Sequence, residues 1–191
     1  EEFRMADVDH LNFIERTLID KLREGEYNTI TAGSKAKANA WVAGAGTPPT
    51  NGEVAVYGQF PTTAETVYPC IITEMAANGI EEQFMGQKLT SGSSVAVGEL
   101  YGVAFNIFVS VDRDSSMSVN TGSGAETYKE RRLLNYLMLN SANVLMDIDF
   151  SAATFDVIER HFSGFRDIGY NPDLETWNAI CSMVVVFKNT R

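Results

Sequence analysis

Cysteine, histidine and cationic side chains are all scarce in this chain of 191 residues. Two cysteines, Cys70 and Cys181, are too few for a disulfide framework. Both fall in segments that read as strands, so they are expected as buried thiols of a reducing compartment, bridged only if those strands adjoin. The two histidines, His10 and His161, show no His-x-x-x-His spacing. Four isolated N/S residues do not suggest a zinc site. A nucleophile pair of Cys70 with His161 would need adjoining strands, and a cysteine on an apolar strand is normally inert. The net charge of −10 argues against a protein that grips nucleic acid through a basic patch. It suits one that lets a polyanion slide past without sticking. No apolar run approaches the roughly 20 residues a membrane helix needs. The opening EEFRMADVDH lacks the apolar centre of a secretory signal. Neither specific nucleic-acid binding, nor a membrane, nor a cofactor is therefore expected.

What is present is a globular composition, 45% hydrophobic and 21% charged. Its organising stretch is Gly98 to Asp112, GELYGVAFNIFVSVD. Tyr101, Val103, Phe105, Ile107, Val109 and Val111 fall on one side; Gly102, Ala104, Asn106 and Ser110 fall on the other, with Phe108 the exception. A period of two in aromatic and β-branched residues predicts a long strand with one face in a core. At about 3.3 Å per residue it spans roughly 40 Å, so it needs partners of similar length.

Before it, the spacing of Val8, Leu11, Ile14, Leu18 and Leu22 predicts a helix over 8–23, with Asp7 as N-cap and Gly25 beyond its end. Phe13 and Ile19 widen its apolar face. Residues 26–52 show no sustained period and read as a long inserted loop in a single α+β domain spanning 1–191. Within that loop Trp41 and Val42 are candidate anchors for a partner. Val54 to Gln59 reads as a short strand. Val67 to Met75 reads as a longer one, starting or lying at an edge because Pro69 cannot donate to a ladder. Asn78-Gly79 suits a tight hairpin or a bulge, and strand resumes over 80–85.

Past the organising strand, Arg113 to Gly124 reads as a polar loop. A capping-box pattern, Ser123 with Glu126, predicts the start of a helix that continues to about Ile148. Leu134, Leu137, Met138, Leu145 and Ile148 make one apolar face. Leu133, Tyr136, Val144 and Met146 add apolar surface elsewhere, so this helix is expected to be buried on more than one side, the second against a neighbouring subunit. A mixed-polarity strand over 155–165, turn chemistry at 169–173 and an apolar strand over 177–188 form a closing hairpin. The expected fold is thus α+β: an antiparallel or mixed twisted sheet of two long hairpins packed on two helices.

Chemistry is thin. TGSGAETYKERR precedes a helix as phosphate loops do, but lacks the spaced Gly-Lys-Ser/Thr and places Glu126 where phosphate would sit. Glu74, Glu81, Glu82 and Glu99 can gather across the first hairpin, where acidic edges also discourage unwanted pairing.

The order of elements, with the phrases VYPCIITEM, LYGVAFNIFVSVD and FRDIGYNPDLETWNAICSMVVVF, resembles the tail terminator (tail completion) proteins of long-tailed bacteriophages. The resemblance covers roughly Val8 to Phe187 and contains no catalytic signature. It implies a virion protein, not an enzyme, forming a ring usually of six subunits. Such a ring terminates the tail tube and joins it to the head connector or stopper protein, with DNA passing through an acidic lumen. Tail tube protein, and sheath protein where there is one, are the further partners implied. A second helix apolar on two sides fits a closed ring. The two polar loops would reach the rings above and below, with Trp41, Val42, Arg113 and Met117 as contacts. Arg131 and Arg132 are candidates for subunit salt bridges, and Tyr136 for the same interface. Two alternatives remain: another neck or baseplate adaptor, and a small ligand-binding or enzyme domain with a pocket between the sheet and the second helix.

Overall fold

The computed structural model describes residues 6–24, 26–31, 34–37, 54–59, 61, 66–83, 89–91, 94–96, 98–120, 123–151, 153 and 155–190. In chain order the elements are α1 (Ala6–Glu24), β1 (Glu26–Thr31), β2 (Ser34–Lys37), β3 (Ala55–Tyr57), β4 (Cys70–Gln83), β5 (Leu89–Ser91), β6 (Ser94–Ala96), β7 (Gly98–Asp112), β8 (Ser116–Asn120), β9 (Ala125–Lys129), α2 (Glu130–Met146), β10 (Asp156–Phe162), β11 (Arg166–Asn171) and β12 (Thr176–Thr190).

The period-two stretch folds as strand β7 and occupies the middle of a mixed six-stranded sheet, ordered β10-β12-β7-β4-β3, with β11 also on β12. β7 pairs antiparallel with β12 without a register shift, from Gly98 opposite Thr190 to Asp112 opposite Thr176. On its other side β4 runs antiparallel, with Cys70 opposite Ser110 and Met75 opposite Phe105. β4 starts directly after Pro69, where a missing donor is harmless. Asn78-Gly79 is not a hairpin turn: both residues stay in the ladder, opposite Val103 and Gly102, between two bulges at 75/77 and 80/82. β3 adds the one parallel pair of this sheet. β10 and β11 together form one outer strand along β12, interrupted at 163–165 around Gly164, which has φ +76. Residues 166–171, expected in part as turn, therefore belong to strand, and the turn of the closing hairpin is 172–175.

The alternation of β7 decides what each face meets. Val103, Phe105, Ile107, Val109 and Val111 are buried beneath the helices with Ile14, Leu18 and Leu22 of α1 and Leu133, Leu134, Leu137 and Leu145 of α2. From β12, Ala179, Cys181, Met183, Val185 and Phe187 join the same core. Phe108, the one break in the pattern, points to the other face. There it packs with Ala55, Tyr57, Cys70 and Ile72 in a second, smaller cluster. That face also carries Ile180, Val184 and Val186 of β12 and two polar bridges between strands: Ser110 Oγ donates to Asn178 Oδ1 at 2.7 Å, and Ser182 Oγ to Asn106 Oδ1 at 3.1 Å.

Three expectations are corrected. Helix α1 opens at Ala6, so Asp7 lies inside its first turn rather than at its cap. The segment expected as loop from 26 begins with an antiparallel hairpin, β1 on β2; residues 38–53 lie outside the described residues. The polar segment at 113–124 contains β8, which pairs with β9 where the helix was expected to start. Ser123 and Glu126 therefore belong to a β-hairpin and form no capping box. Helix α2 begins at Glu130, whose φ of 50° turns the chain sharply out of β9, and its cap residue Lys129 makes no side-chain cap bond. The competing force is burial. Met117 and Val119 of β8 are 1% and 5% exposed, and their alternation with serine and asparagine holds the hairpin against the core.

Candidate functional site

Neither pairing of Cys70 weighed from the sequence, the bridge to Cys181 or the nucleophile pair with His161, is assembled. Cys70 lies on the face of Phe108, whereas Cys181 lies on the helix-covered face. Both thiols are free and buried, so no bridge links them. Burial pushes the Cys181 thiol up to about 12. It raises Cys70 further still, with a smaller push from the Asp112 charge. His161 sits on β10, three strand steps from β4 and, through Val184 and Ala104, six positions along the register from the level of Cys70, so Cys70 and His161 are separated by roughly 25 Å of sheet. His10 instead packs its ring on Phe155 at 4.2 Å and edge-on to Phe187 at 5.7 Å. Its Nδ1 has no hydrogen-bond partner among the described residues. Among the described residues no group of three or more His, Cys, Asp or Glu is placed to hold a metal. Glu74 is exposed on β4 opposite Asn106, while Glu82 and Glu99 sit near one another in register, opposite Leu100 and Gln83.

Two hollows stand out. An open groove of about 460 Å³ runs beside β10, lined in part by Asp149, Ser151, Asp156, Glu159 and Arg160. Here Ser151 donates from its hydroxyl and its N–H to the two Asp149 oxygens, each at 2.8 Å, and these bonds hold that exposed carboxyl below its usual range. A smaller hollow of about 220 Å³ opens on the helix-free face between Tyr68, Cys70, Phe108, Ser110 and Asn178. Burial raises the Tyr68 phenol, with smaller contributions from Cys70, Asp112 and Tyr57. Neither hollow lies between the sheet and α2, where the pocket of a ligand-binding domain was expected.

The residues expected at an assembly surface divide into three groups. Trp41 and Val42 lie outside the described residues. Met117 is corrected: at 1% exposure it is a core residue of β8 rather than a surface contact. Of the remaining four, the three arginines are exposed and Tyr136 is half-buried against the core, and all already hold partners within the chain. Arg113 faces Glu175 at 3.8 Å across the ends of β7 and β12, with both side chains largely exposed. Arg131 Nη2 reaches Asp167 of β11 at 2.9 Å. Arg132 reaches Glu126 of β9 at 2.5 Å and lies 4.0 Å over the Tyr128 ring. Tyr136 meets Tyr128 edge-on at 5.6 Å. The two arginines expected to bridge subunits thus pin the first turns of α2 to the two flanking hairpins. Exposed pairs of this kind add little to stability.

What the side-chain inventory overlooked is Leu139, 62% exposed on α2. Together with Met146, at 52%, it places two apolar side chains among exposed Arg132, Asn135 and Asn143 on the side of α2 opposite the leucines that enter the core. The spacing of those two residues by two helical turns was a legible signal. No helix among the described residues is long and apolar enough to cross a membrane. The sequence matches no protein-family model and no curated protein.

Proposed function

We propose that this chain is a structural subunit of a long-tailed bacteriophage virion, a tail-terminator-like protein that assembles as a homo-oligomeric ring at the end of the tail tube. The observation that carries the reading is the two-sided apolar character of α2. Leu133, Leu134, Leu137 and Leu145 fill the core while Leu139 and Met146 stand out on the opposite side. A helix with apolar residues on both sides is completed by a second surface, and cyclic symmetry supplies the same completion to every subunit. The order of elements supports the reading: a helix, a long hairpin, a second helix and a closing hairpin around one core. A net charge of −10 suits a lumen that passes DNA without retaining it. In this role the ring, of six subunits, contacts tail tube protein on one side and the head connector or stopper protein on the other, with sheath protein as a further neighbour, and performs no catalysis.

The experiment is electron microscopy of purified tail tubes incubated with the labelled protein. Label confined to one end of each tube is expected. Label absent from tubes, or spread along their length, would overturn the terminator role. A twelve-fold ring at the end would move the assignment to a connector adaptor.

A further inference from the structure

The large apolar side chains that stand exposed among the described residues occupy two places only. Leu139 and Met146 lie on the outer side of α2, about 10.5 Å apart at 1.5 Å per residue. Ile158, Ile168, Tyr170 and Leu174, between 44% and 56% exposed, lie along the outer strand of the closing hairpin and its turn. Among the described residues β10 and β11 pair only with β12, so their outward edge is unpaired. Ile168 sits at a register shift between Asp167 and Gly169, where an extra residue is left out of the ladder. Edges are normally guarded by charge at such points; here the bulge presents a β-branched apolar side chain. Tyr170, opposite Trp177 in the register, holds its ring 4.9 Å from the Trp177 ring.

Resting on the ring reading above, we infer that the subunit contact is head-to-tail, the outer side of α2 in one copy seating on the β11 edge and turn of the next. Charge supports this occupant. The last turn of α2 contains no basic residue and is followed by exposed Asp147, so the negative end of the helix dipole has no cation there. The β11 edge offers exposed Arg166, which has no ion pair among the described residues. Met146 against Ile168 sets Asp147 beside Arg166. Because the two patches differ, a two-fold contact would cover one and leave the other bare. A head-to-tail contact covers both in every subunit once the ring closes. Five half-exposed side chains give several hundred Å² of apolar surface, the core of an interface of about 800 Å² per partner.

The test uses two full-length variants, Leu139→Glu on the helix and Ile168→Glu on the edge, each checked for an unchanged circular dichroism spectrum and melting temperature. Native mass is measured for the wild type, each variant and their equimolar mixture, alone and with tail tube protein. We expect each variant to associate at least ~30-fold more weakly than the wild type, the scale of losing one hot-spot residue. The mixture should form heterodimers and nothing larger, because each pair retains one intact helix patch and one intact edge. A wild type that assembles beside variants that assemble equally well overturns this contact and leaves the ring reading standing. Variants that fail alone and also fail to pair in the mixture overturn the head-to-tail arrangement. A wild type monomeric under both conditions overturns the ring and the contact together.

Discussion

Replacing Phe105 and Phe108 separately by alanine tests which face of β7 is buried. Phe105 is 0% exposed beneath the helices, opposite Met75 of β4 and Met183 of β12. Removing an aromatic side chain that buries on the order of 150 Å² at ~25 cal/mol per Å² costs about 4 kcal/mol, within the range seen for Phe→Ala in cores. Phe108, three residues on, lies half-buried on the other face against the small cluster of Tyr57, Cys70 and Ile72. Its loss is expected to cost about half as much or less, since part of its surface already meets water. Urea unfolding separates the two. With a slope near 2 kcal/mol per M, Phe105→Ala lowers the midpoint by about 2 M and Phe108→Ala by under ~1 M. A one-residue slip of β7 would exchange every side chain between faces. Equal costs, or a larger cost at Phe108, would refute the register and with it the placement of both helices.

Met117→Ala is expected to destabilise the isolated chain by about 2–4 kcal/mol in the same assay, because Met117 is 1% exposed in the core; a loss confined to assembly would return it to the surface. The thiols set an alkaline limit. Both are raised above the ordinary value of 9.0 by burial, Cys181 to about 12 and Cys70 further, so each contribution is intact below pH 9 and falls as pH rises, that of Cys181 being lost through about 12. Stability should fall by about 1.4 kcal/mol per pH unit for each thiol above pH 9, and Cys181→Ala should flatten that slope, as read from urea midpoints between pH 8 and 10.5. Native protein should likewise leave both thiols unreactive to a thiol-directed dye until it unfolds. Gly58→Ala brings a methyl within 2.8 Å of Ile19 Cδ1, the tip of a side chain that can turn aside. A small loss of about 1 kcal/mol is expected from thermal unfolding, and a larger one would mean that α1 cannot yield at this point.

Where burial and period agreed, the elements were legible. β7 occupies the expected residues 98–112 because its alternation is sustained from Tyr101 to Val111, and β12 reads as central because both its faces are apolar near its middle. Helix α1 was legible through its stripe, since Ile14, Leu18 and Leu22 are all fully buried. The failures share a cause. In Ser116–Asn120 the alternation rests on only Met117 and Val119 among serines and asparagine, so polar composition outweighed a true period of two. At Ser123 and Glu126 the capping pattern is met by coincidence, because pairing with β8 holds the chain extended to Lys129. The arginines were expected to pair across a subunit interface, and their carboxylate partners Asp167 and Glu126 come from other elements of the same chain that spacing alone does not bring near. Of the residues expected on a second apolar side of α2, Met146 is exposed, whereas Leu133 lies in the core and Tyr136 and Val144 pack against it. The exposed apolar side chain at Ile168 depends on a bulge that no local pattern announces.

The most direct measurement is the native mass of the wild-type protein, alone and after mixing with tail tube protein. A closed oligomer is predicted in at least one of the two, near six times 21.0 kDa or about 126 kDa. A chain that stays at 21.0 kDa in both contradicts the account of α2 as a subunit interface and of the protein as a ring.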